Sequence, residues 1–326
     1  MNPESIRAAG LSGQGPARAV GGLFDLQANG FVGVDFQQGE VTAEEMNRAV
    51  QGLHAHGTDR ILLTLVTDKI DALCAKLERF ERHRRNNAAV AATVVVYHIE
   101  GPYLCAEEGY RGAHDPSCMK DPSIAEFERL WAAAGENVRL ITLAPERDGA
   151  AEFIRHAVER GVRISIGHSN ASESAIDSAI AAGATMCTHL GNGVPTLLHR
   201  HDNVIYRLLA RDELWAVFIP DGIHVPPATL RLFVRSKPAD KVLFTSDCIS
   251  AAGGPPGRYR VGRLEVDVGA DGVVREPGRP NFAGSSVTMD RAVGNVRRFL
   301  GWTEARARAA CGDDVARYFG LPPAAG

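Results

Sequence analysis

Four residues that can bind a metal ion or carry a proton each come directly after a short apolar segment. They are Glu100, His168, His189 and Asp247. A lone buried charge after such a segment is costly without a cation or a partner. Two neutral imidazoles and one carboxylate leave a coordination position open on a catalytic Zn²⁺, where bound water loses a proton near neutral pH, and Fe²⁺ accepts the same set. The three side chains Glu100, His168 and His189 therefore predict a site for a divalent metal.

The segments before these residues are predicted strands of one barrel. Eight β-branched or apolar runs alternate with amphipathic segments such as 42–56 and 171–182, and a glycine follows several of the helices. Eight strands alternating with helices predict an α/β fold, a closed (β/α)8 TIM barrel, whose strand ends converge on one mouth. The predicted strands span residues 22–28, 60–67, 93–100, 138–144, 162–167, 185–190, 214–220 and 241–246.

On this assignment every candidate residue lies at the mouth. Glu100 closes the third strand, His168 the fifth, His189 the sixth and Asp247 the eighth. The first strand also ends in polar side chains, namely those of Asp25, Gln27 and Asn29. Any one of these residues alone could be structural, but their shared position at strand ends indicates a common site.

The length of 326 residues suits a single barrel, which routinely exceeds about 250 residues. We predict one barrel domain over residues 22–326, preceded by a flexible leader at 1–21. Glycine, proline and short alternating runs at 253–284 predict a β-hairpin excursion after the eighth strand. Two helices, at 287–300 and 303–319, close the chain.

Composition excludes several classes of function. A formal net charge of -3 provides no basic field for nucleic acid. The six cysteines form no Cys-x-x-Cys pair, as expected for reduced thiols in the cytoplasm. The first 21 residues contain no apolar core of a secretory signal, and no apolar run is long enough to span a membrane. We therefore expect a cytoplasmic protein without a nucleic-acid or membrane partner.

Three other histidines are predicted to be structural. His54 and His56 reproduce the two-histidine pattern that opens many amidohydrolase sites, but they precede Gly57 at a helix end and belong to the opposite face of the barrel. We interpret them as a helix-terminal surface pair. His98, two residues before the end of the third strand, is expected to pack inside the barrel, and Cys187 is expected to fill core space.

Several longer motifs resemble the N-acetylglucosamine-6-phosphate deacetylases, a family of the amidohydrolase superfamily. The resemblance runs in order from Gly22 to about Leu321. The matching strings are Phe24-Asp25-Leu26-Gln27-Ala28-Asn29-Gly30, Ile99-Glu100-Gly101-Pro102-Tyr103, Arg111-Gly112-Ala113-His114-Asp115-Pro116, Gly167-His168-Ser169-Asn170-Ala171, Thr188-His189-Leu190-Gly191-Asn192-Gly193, Asp221-Gly222-Ile223-His224 and Ala283-Gly284-Ser285-Ser286-Val287.

This resemblance implies that the protein hydrolyses the acetamido group of an N-acetylamino sugar, most directly N-acetylglucosamine 6-phosphate. It implies Glu100, His168 and His189 as metal ligands, Asp247 as general acid and base, and His114 as donor to the acetamido carbonyl. The implied contacts to the sugar phosphate are Asn192, Gly193, His224 and Arg200, with Arg200 reaching across the interface of a homodimer.

Gln27 and Asn29 replace the first two histidines of the superfamily. The resemblance therefore implies that Gln27 and Asn29 lie near the metal without binding it, and that each chain holds a single divalent ion, Zn²⁺ or alternatively Fe²⁺.

Three departures from the family concern substrate recognition. The β-sandwich that family members build from strands on both sides of the barrel is expected to be missing. The loop after Glu100 is about two residues longer, with Glu107, Glu108 and Arg111 where the family often has lysines, and residues 199–203 replace a Pro-Gly. Two alternatives therefore remain open: a deacylase of a different or unphosphorylated N-acyl amino sugar, and a non-catalytic sugar-binding barrel.

Overall fold

The computed structural model describes residues 22–278 and 282–323. The predicted leader at 1–21 lies outside these residues. The strands are β1 Leu23–Ala28, β2 Gly30–Phe31, β3 Val34–Asp35, β4 Thr58–Val66, β5 Val94–Glu100, β6 Val138–Leu143, β7 Arg163–Ile166, β8 Ala184–Cys187, β9 Trp215–Phe218, β10 Val242–Phe244, β11 Gly257–Val261, β12 Leu264–Val268 and β13 Val274–Arg275.

The helices alternate with the barrel strands. They are α1 Ala43–Ala55, α2 Ile70–Asn86, α3 Ala88–Thr93, α4 Ile124–Ala133, α5 Ala150–Glu159, α6 Glu173–Ala182, α7 Val204–Leu209, α8 Pro227–Arg235, α9 Met289–Leu300, α10 Glu304–Ala310 and α11 Asp313–Tyr318. No helix in the described parts of the chain is both long enough and apolar enough to cross a membrane.

Eight parallel strands form the predicted barrel, in the order β1-β4-β5-β6-β7-β8-β9-β10. A parallel bridge between Ala28, the last residue of β1, and Cys248, which follows β10, connects the first and last strands. Each predicted strand overlaps an observed one, with ends that differ by no more than three residues. The α/β barrel prediction is therefore confirmed.

The interior of the barrel is layered because alternate side chains of each strand point inward. Near the amino ends of the strands, Leu62, Val96 and Leu140 belong to an apolar cluster that is covered by Val315 and Tyr318 of α11. Two residues further along, Thr64, His98 and Thr142 form a buried polar layer. Two residues further again on β5 comes Glu100. The period of the strands thus places an acidic side chain at the mouth, above a closed base.

The predicted C-terminal helix at 303–319 is wrong, because the segment forms two helices, α10 and α11. They are separated at Cys311 and Gly312. A Cβ atom on Gly312 would lie 2.8 Å from the carbonyl oxygen of Gly22. This close approach to the start of β1 leaves no room for a continuous helix that carries a side chain at that position.

The predicted excursion after the eighth barrel strand is present. Strands β11 and β12 pair antiparallel, and β13 extends them to a three-stranded sheet. This sheet packs through its own apolar cluster, which includes Ile249, Val266 and Val274. The backbone N–H of Gly262, in the β11–β12 turn, donates to Asp35 at 2.7 Å, so the excursion also contacts the small β2–β3 hairpin at the barrel mouth.

Candidate active site

Three side chains at strand ends form a group with the spacing of metal ligands. Nε2 of His189 lies 3.0 Å, and Nε2 of His168 3.5 Å, from the same carboxylate oxygen of Glu100. Tetrahedral ligands at Zn²⁺ bond lengths lie about 3.3 Å apart. All three residues are buried, and their ligand atoms lie within 4.8 Å of one another. The donor set therefore fits a divalent metal ion.

The backbone aims these side chains into the mouth. His168, His189 and Asp247 have φ values of 49°, 29° and 49°. Residues other than glycine adopt this left-handed region rarely and at a cost of roughly 1–3 kcal/mol, and such residues concentrate at functional sites. At each of the three positions the strand stops and the chain turns, which explains why β8 ends before His189.

The ring of His168 is oriented by its surroundings. Its Nδ1 donates to the backbone carbonyl of Tyr110 at 2.8 Å, which fixes the ring with Nε2 facing Glu100. Two glycines lie against the same ring. A Cβ atom on Gly193 would approach Nδ1 to 2.8 Å, and one on Gly112 would approach Cε1 to 2.9 Å. A larger residue at either position would displace the imidazole.

Hydrogen bonds and charge control the ionisation of Glu100. Burial alone would raise the pKa of this carboxyl group, but hydrogen bonds with His168 and His189 hold the pKa well below its usual range. For His189, burial acts to lower the pKa, while its hydrogen bond and charge interaction with Glu100 raise it above the ordinary value. A carboxylate is thus available as a ligand.

His114 lies in the same site, as predicted from the resemblance. Its Nε2 is 3.7 Å from Glu100, its ring centroid is 4.4 Å from that of His168, and its Nδ1 is 2.8 Å from the hydroxyl of Thr67. Burial, followed by the charge of His168, lowers the pKa of His114 to about 3, so the ring is neutral. The same Thr67 hydroxyl also lies 3.3 Å from the backbone carbonyl of Glu100. In the tautomer that carries its proton on Nε2, the hydroxyl donates to Nδ1 of His114 instead, and the Nε2–H faces the site as a donor.

Asp247 lies close enough to Glu100 and His189 for its charge to interact with both. Its Oδ1 accepts a hydrogen bond from Nδ2 of Asn29 at 2.8 Å. Burial raises the pKa of Asp247 to about 7, against the opposing charge of His189. A carboxyl group with such a pKa can both accept and return a proton near neutral pH.

The first strand contributes amide side chains and no imidazole. Gln27 is fully buried, and neither atom of its amide has a hydrogen-bond partner among the described residues. The side-chain oxygen of Asn29 is likewise without a partner. Because its Nδ2 donates to Asp247, Asn29 lies directly beside that carboxyl group.

The structure distributes the predicted substrate contacts around the mouth. Asn192 donates from Nδ2 to the backbone carbonyl of His189 at 3.0 Å. Nδ1 of His224 lies 2.6 Å from a carboxylate oxygen of Asp221, and the ring centroid of His224 is 5.3 Å from that of Phe282. Burial would raise the pKa of Asp221, but its hydrogen bond and charge interaction with His224 lower it below the ordinary value. This arrangement gives the imidazole a fixed orientation.

Arg200 makes no polar contact with the other predicted substrate-binding residues of its own chain. It is exposed and makes no hydrogen bond or ion pair within the described residues. Asp202, a neighbouring carboxylate that could have paired with Arg200, instead accepts from Arg207 at 2.7 Å. Leu197, close by on the same loop, is 89% exposed. The guanidinium of Arg200 is therefore available to a group outside its own chain.

Residues that orient the site were not predicted. Thr67 and Tyr110 contact His114 and His168, and Asp221 contacts His224. Thr67 closes a predicted strand, and Asp221 lies in the same motif as His224. The sequence therefore offered a reason to predict these two residues at the site. The contact from Tyr110 is made by its backbone carbonyl, which no residue type can predict.

The interpretation of the remaining histidines is confirmed. His54 lies at the end of α1, with Nε2 2.8 Å from the hydroxyl of Thr93, and His56 pairs with Asp290 at 3.2 Å. His98 is fully buried in the barrel, and its Nε2 is 2.8 Å from the hydroxyl of Thr142. Burial lowers the pKa of His98 to about 4, as expected for a neutral core histidine.

A barrel with buried Glu, His, His and Asp side chains at its mouth defines a hydrolase of the amidohydrolase type. No protein-family model matches the chain. Comparison with individual proteins is more informative. The chain is 33% identical to the N-acetylglucosamine-6-phosphate deacetylase of Danio rerio, over 92% of this chain and 75% of that protein. The chain belongs to the N-acetylglucosamine-6-phosphate deacetylase family.

Two further proteins similar to this chain act on, or are bound to, different amino-sugar phosphates. The N-acetylgalactosamine-6-phosphate deacetylase of Escherichia coli O157:H7 is 32% identical over 87% of this chain and 73% of that protein. A solved structure of a Mycobacterium smegmatis N-acetyl-D-glucosamine-6-phosphate deacetylase variant, in complex with N-acetyl-D-glucosamine-6-phosphate, is 33% identical and superposes with a TM-score of 0.84. The match covers 96% of this chain and 83% of that one.

Proposed function

We propose that this protein hydrolyses the acetamido group of N-acetylglucosamine 6-phosphate to the amino sugar and acetate. The observation that carries the proposal is the joint presence of Glu100, His168, His189 and Asp247 at one buried barrel mouth. A sugar-binding barrel without turnover would not need a buried carboxyl group with a pKa near neutrality beside a metal site. The family membership supports the same reaction.

Glu100, His168 and His189 would hold one divalent ion, which we propose to be Zn²⁺ with Fe²⁺ as the alternative. When bound, the ion activates water and polarises the acetamido carbonyl. Asp247 accepts the proton of the attacking water and delivers it to the leaving nitrogen. The Nε2–H of His114 donates to the carbonyl oxygen as negative charge develops there.

The identity of the sugar is tested with a panel of substrates. Acetate release is measured on N-acetylglucosamine 6-phosphate, N-acetylgalactosamine 6-phosphate and unphosphorylated N-acetylglucosamine. We expect the highest kcat/KM on the first. A higher kcat/KM on N-acetylgalactosamine 6-phosphate would show that this protein shares the specificity of the Escherichia coli relative. A higher kcat/KM on unphosphorylated N-acetylglucosamine would show that it is a deacylase of unphosphorylated sugars. Absence of acetate from all three, with metal bound, would contradict the proposed reaction.

The metal content provides a prediction. Gln27 and Asn29 stand where imidazoles would be needed for a second ion, and neutral amides are poor ligands for Zn²⁺. Protein loaded without excess metal should contain about one equivalent per chain by elemental analysis. The double substitution Gln27→His with Asn29→His should raise that content. Two tightly held ions in the wild-type protein would contradict the prediction.

Arg200 provides a further prediction. We propose that it reaches the 6-phosphate of a substrate bound in the partner of a homodimer, because it is exposed and unpaired beside the exposed Leu197. Arg200→Ala should then raise KM for the phosphorylated sugar roughly tenfold to a hundredfold, the value of a charged hydrogen bond, with little change in kcat. The unphosphorylated sugar should be unaffected.

The matched control is Arg235→Ala. Arg235 is also exposed, but it lies at the C-terminal end of α8, on the face of the barrel opposite the mouth. Steady-state kinetics on both sugars distinguish the two variants. Equal losses on the phosphorylated and unphosphorylated sugars in Arg200→Ala would show that Arg200 does not read the phosphate.

A further inference from the structure

The loop that carries the Ala283–Val287 motif lies alongside the end of β10 and contacts the backbone on both sides of Asp247. The hydroxyl of Ser285 donates to the carbonyl oxygen of Ser246 at 2.7 Å. The backbone N–H of Ser285 donates to the carbonyl of Asp247 at 3.1 Å, and its own carbonyl accepts from Ile249 at 2.9 Å. One buried serine thus contacts the residue before Asp247, Asp247 itself and a residue just after it.

The residues next to Ser285 allow the loop to lie close to the end of β10 and orient the Ser285 hydroxyl. Gly284 has a φ of 74°, and a Cβ atom there would lie 2.4 Å from Cγ2 of Ile249, so only glycine lets the loop come this close. The backbone N–H of Val287 donates to Oγ of Ser285 at 3.1 Å. Because that contact occupies a lone pair, the hydroxyl proton is directed toward Ser246.

The opposite side of the same segment is held by the first strand. Asp25 accepts hydrogen bonds from the backbone N–H of Ser246, at 3.1 Å, and from its hydroxyl. The hydroxyl of Ser246 in turn accepts from the backbone N–H of Cys248 at 3.0 Å. The segment that contains Asp247 is therefore fixed between Asp25 and Ser285.

Such bracketing has a physical reason. Asp247 adopts a left-handed backbone conformation, with a φ of 49°, that persists only where the surrounding structure over-determines it. Removing the hydroxyl of Ser285 would leave the buried carbonyl of Ser246 without this donor and would release the segment on one side. The carboxylate of Asp247 would then be free to move relative to the metal ligands Glu100 and His189.

We infer that Ser285 is a positioning residue that holds Asp247 in the geometry required for proton transfer. The inference rests on the proposed role of Asp247 as acid and base. A misplacement of about 1 Å at a reacting group costs on the order of 10²-fold in rate. Because the contact holds the group that transfers the proton, we expect the loss in kcat.

The test compares Ser285→Ala with Ser286→Ala. Ser286 is the adjacent residue of the same motif, but its hydroxyl donates to the carbonyl of Gly272 at 2.7 Å, within the excursion and away from Asp247. In metal-loaded protein, Ser285→Ala should lower kcat about tenfold to a hundredfold, with KM, metal content and circular dichroism unchanged. Ser286→Ala should match the wild type. Equal kcat values in all three proteins would overturn the inference.

A double-mutant cycle separates positioning from a merely structural effect. If Ser285 acts through Asp247, then Ser285→Ala should have no further effect on the residual kcat of Asp247→Asn. A loss of the same size in both backgrounds would show that Ser285 acts elsewhere. Ser285→Cys retains the size of the side chain and a weak hydrogen-bond donor, so it should give an intermediate kcat. This variant replaces Ser285→Ala in the test if the alanine variant does not fold. An unchanged kcat in this variant would likewise contradict the inference. Full turnover by Asp247→Asn would instead contradict the proposed function.

Discussion

Asp247→Asn should bind its metal normally and lose turnover by about 10²–10⁴-fold, the usual contribution of a general acid and base. The amide keeps the size of the carboxylate and still offers an oxygen to Nδ2 of Asn29, which now donates at 2.8 Å. It cannot accept a proton from water or return one to the leaving nitrogen. An amide nitrogen leaves poorly without that proton, so the loss should appear in kcat.

Acetate release under saturating substrate and elemental analysis of the same sample check this expectation together. Asp267→Asn is a matched control, because Asp267 lies on β12 of the excursion and pairs with the exposed Arg258. The control should keep wild-type kcat and metal content. A near wild-type kcat in Asp247→Asn would show that another group transfers the proton, and loss of metal would make Asp247 a ligand.

Replacing either of the two histidines that we propose as metal ligands should remove metal and activity together. In His168→Ala and His189→Ala, only two of the three donors within the 4.8 Å group remain. Two protein ligands do not match the three that catalytic Zn²⁺ sites use. We expect the metal content of both variants to be well below one equivalent per chain. When the metal supply is limiting, their loss of kcat/KM should be larger than the loss in Asp247→Asn.

His54→Ala is the control for these variants. His54 belongs to the pair that imitates a metal motif in the sequence, but it lies at the end of α1 and contacts Thr93. This variant should keep both metal and activity. If His168→Ala or His189→Ala retained a full equivalent of metal with wild-type kinetics, Glu100 and the two histidines would not be the metal site.

The two losses should differ in their response to added metal. Excess Zn²⁺ should restore part of the activity of a histidine variant, since affinity for the ion is the property that was reduced. The same addition should leave Asp247→Asn unchanged, because its metal site is complete. Titration of both variants with Zn²⁺ therefore separates the role of the ligands from that of the acid and base.

Much of the fold was determined by local pattern. All eight barrel strands could be predicted because each is a short apolar run between amphipathic helices, and the parallel barrel follows from their alternation. The same alternation places Glu100, His168, His189 and Asp247 at one mouth, because all strand ends point the same way. The break between α10 and α11 was missed, since it depends on a contact of Gly312 with distant Gly22.

The orientation of the reactive groups was decided by tertiary structure. The left-handed backbone at His168, His189 and Asp247 cannot be predicted from those residue types, which disfavour it. It is maintained by partners far away in sequence, such as the carbonyl of Tyr110 for His168, and Asp25 and Ser285 for the segment around Asp247. Sequence pattern thus determines which chemical groups reach the mouth, because strand period and direction are local properties. Their distances and protonation are set by burial and by long-range hydrogen bonds, which exist only after the barrel has closed.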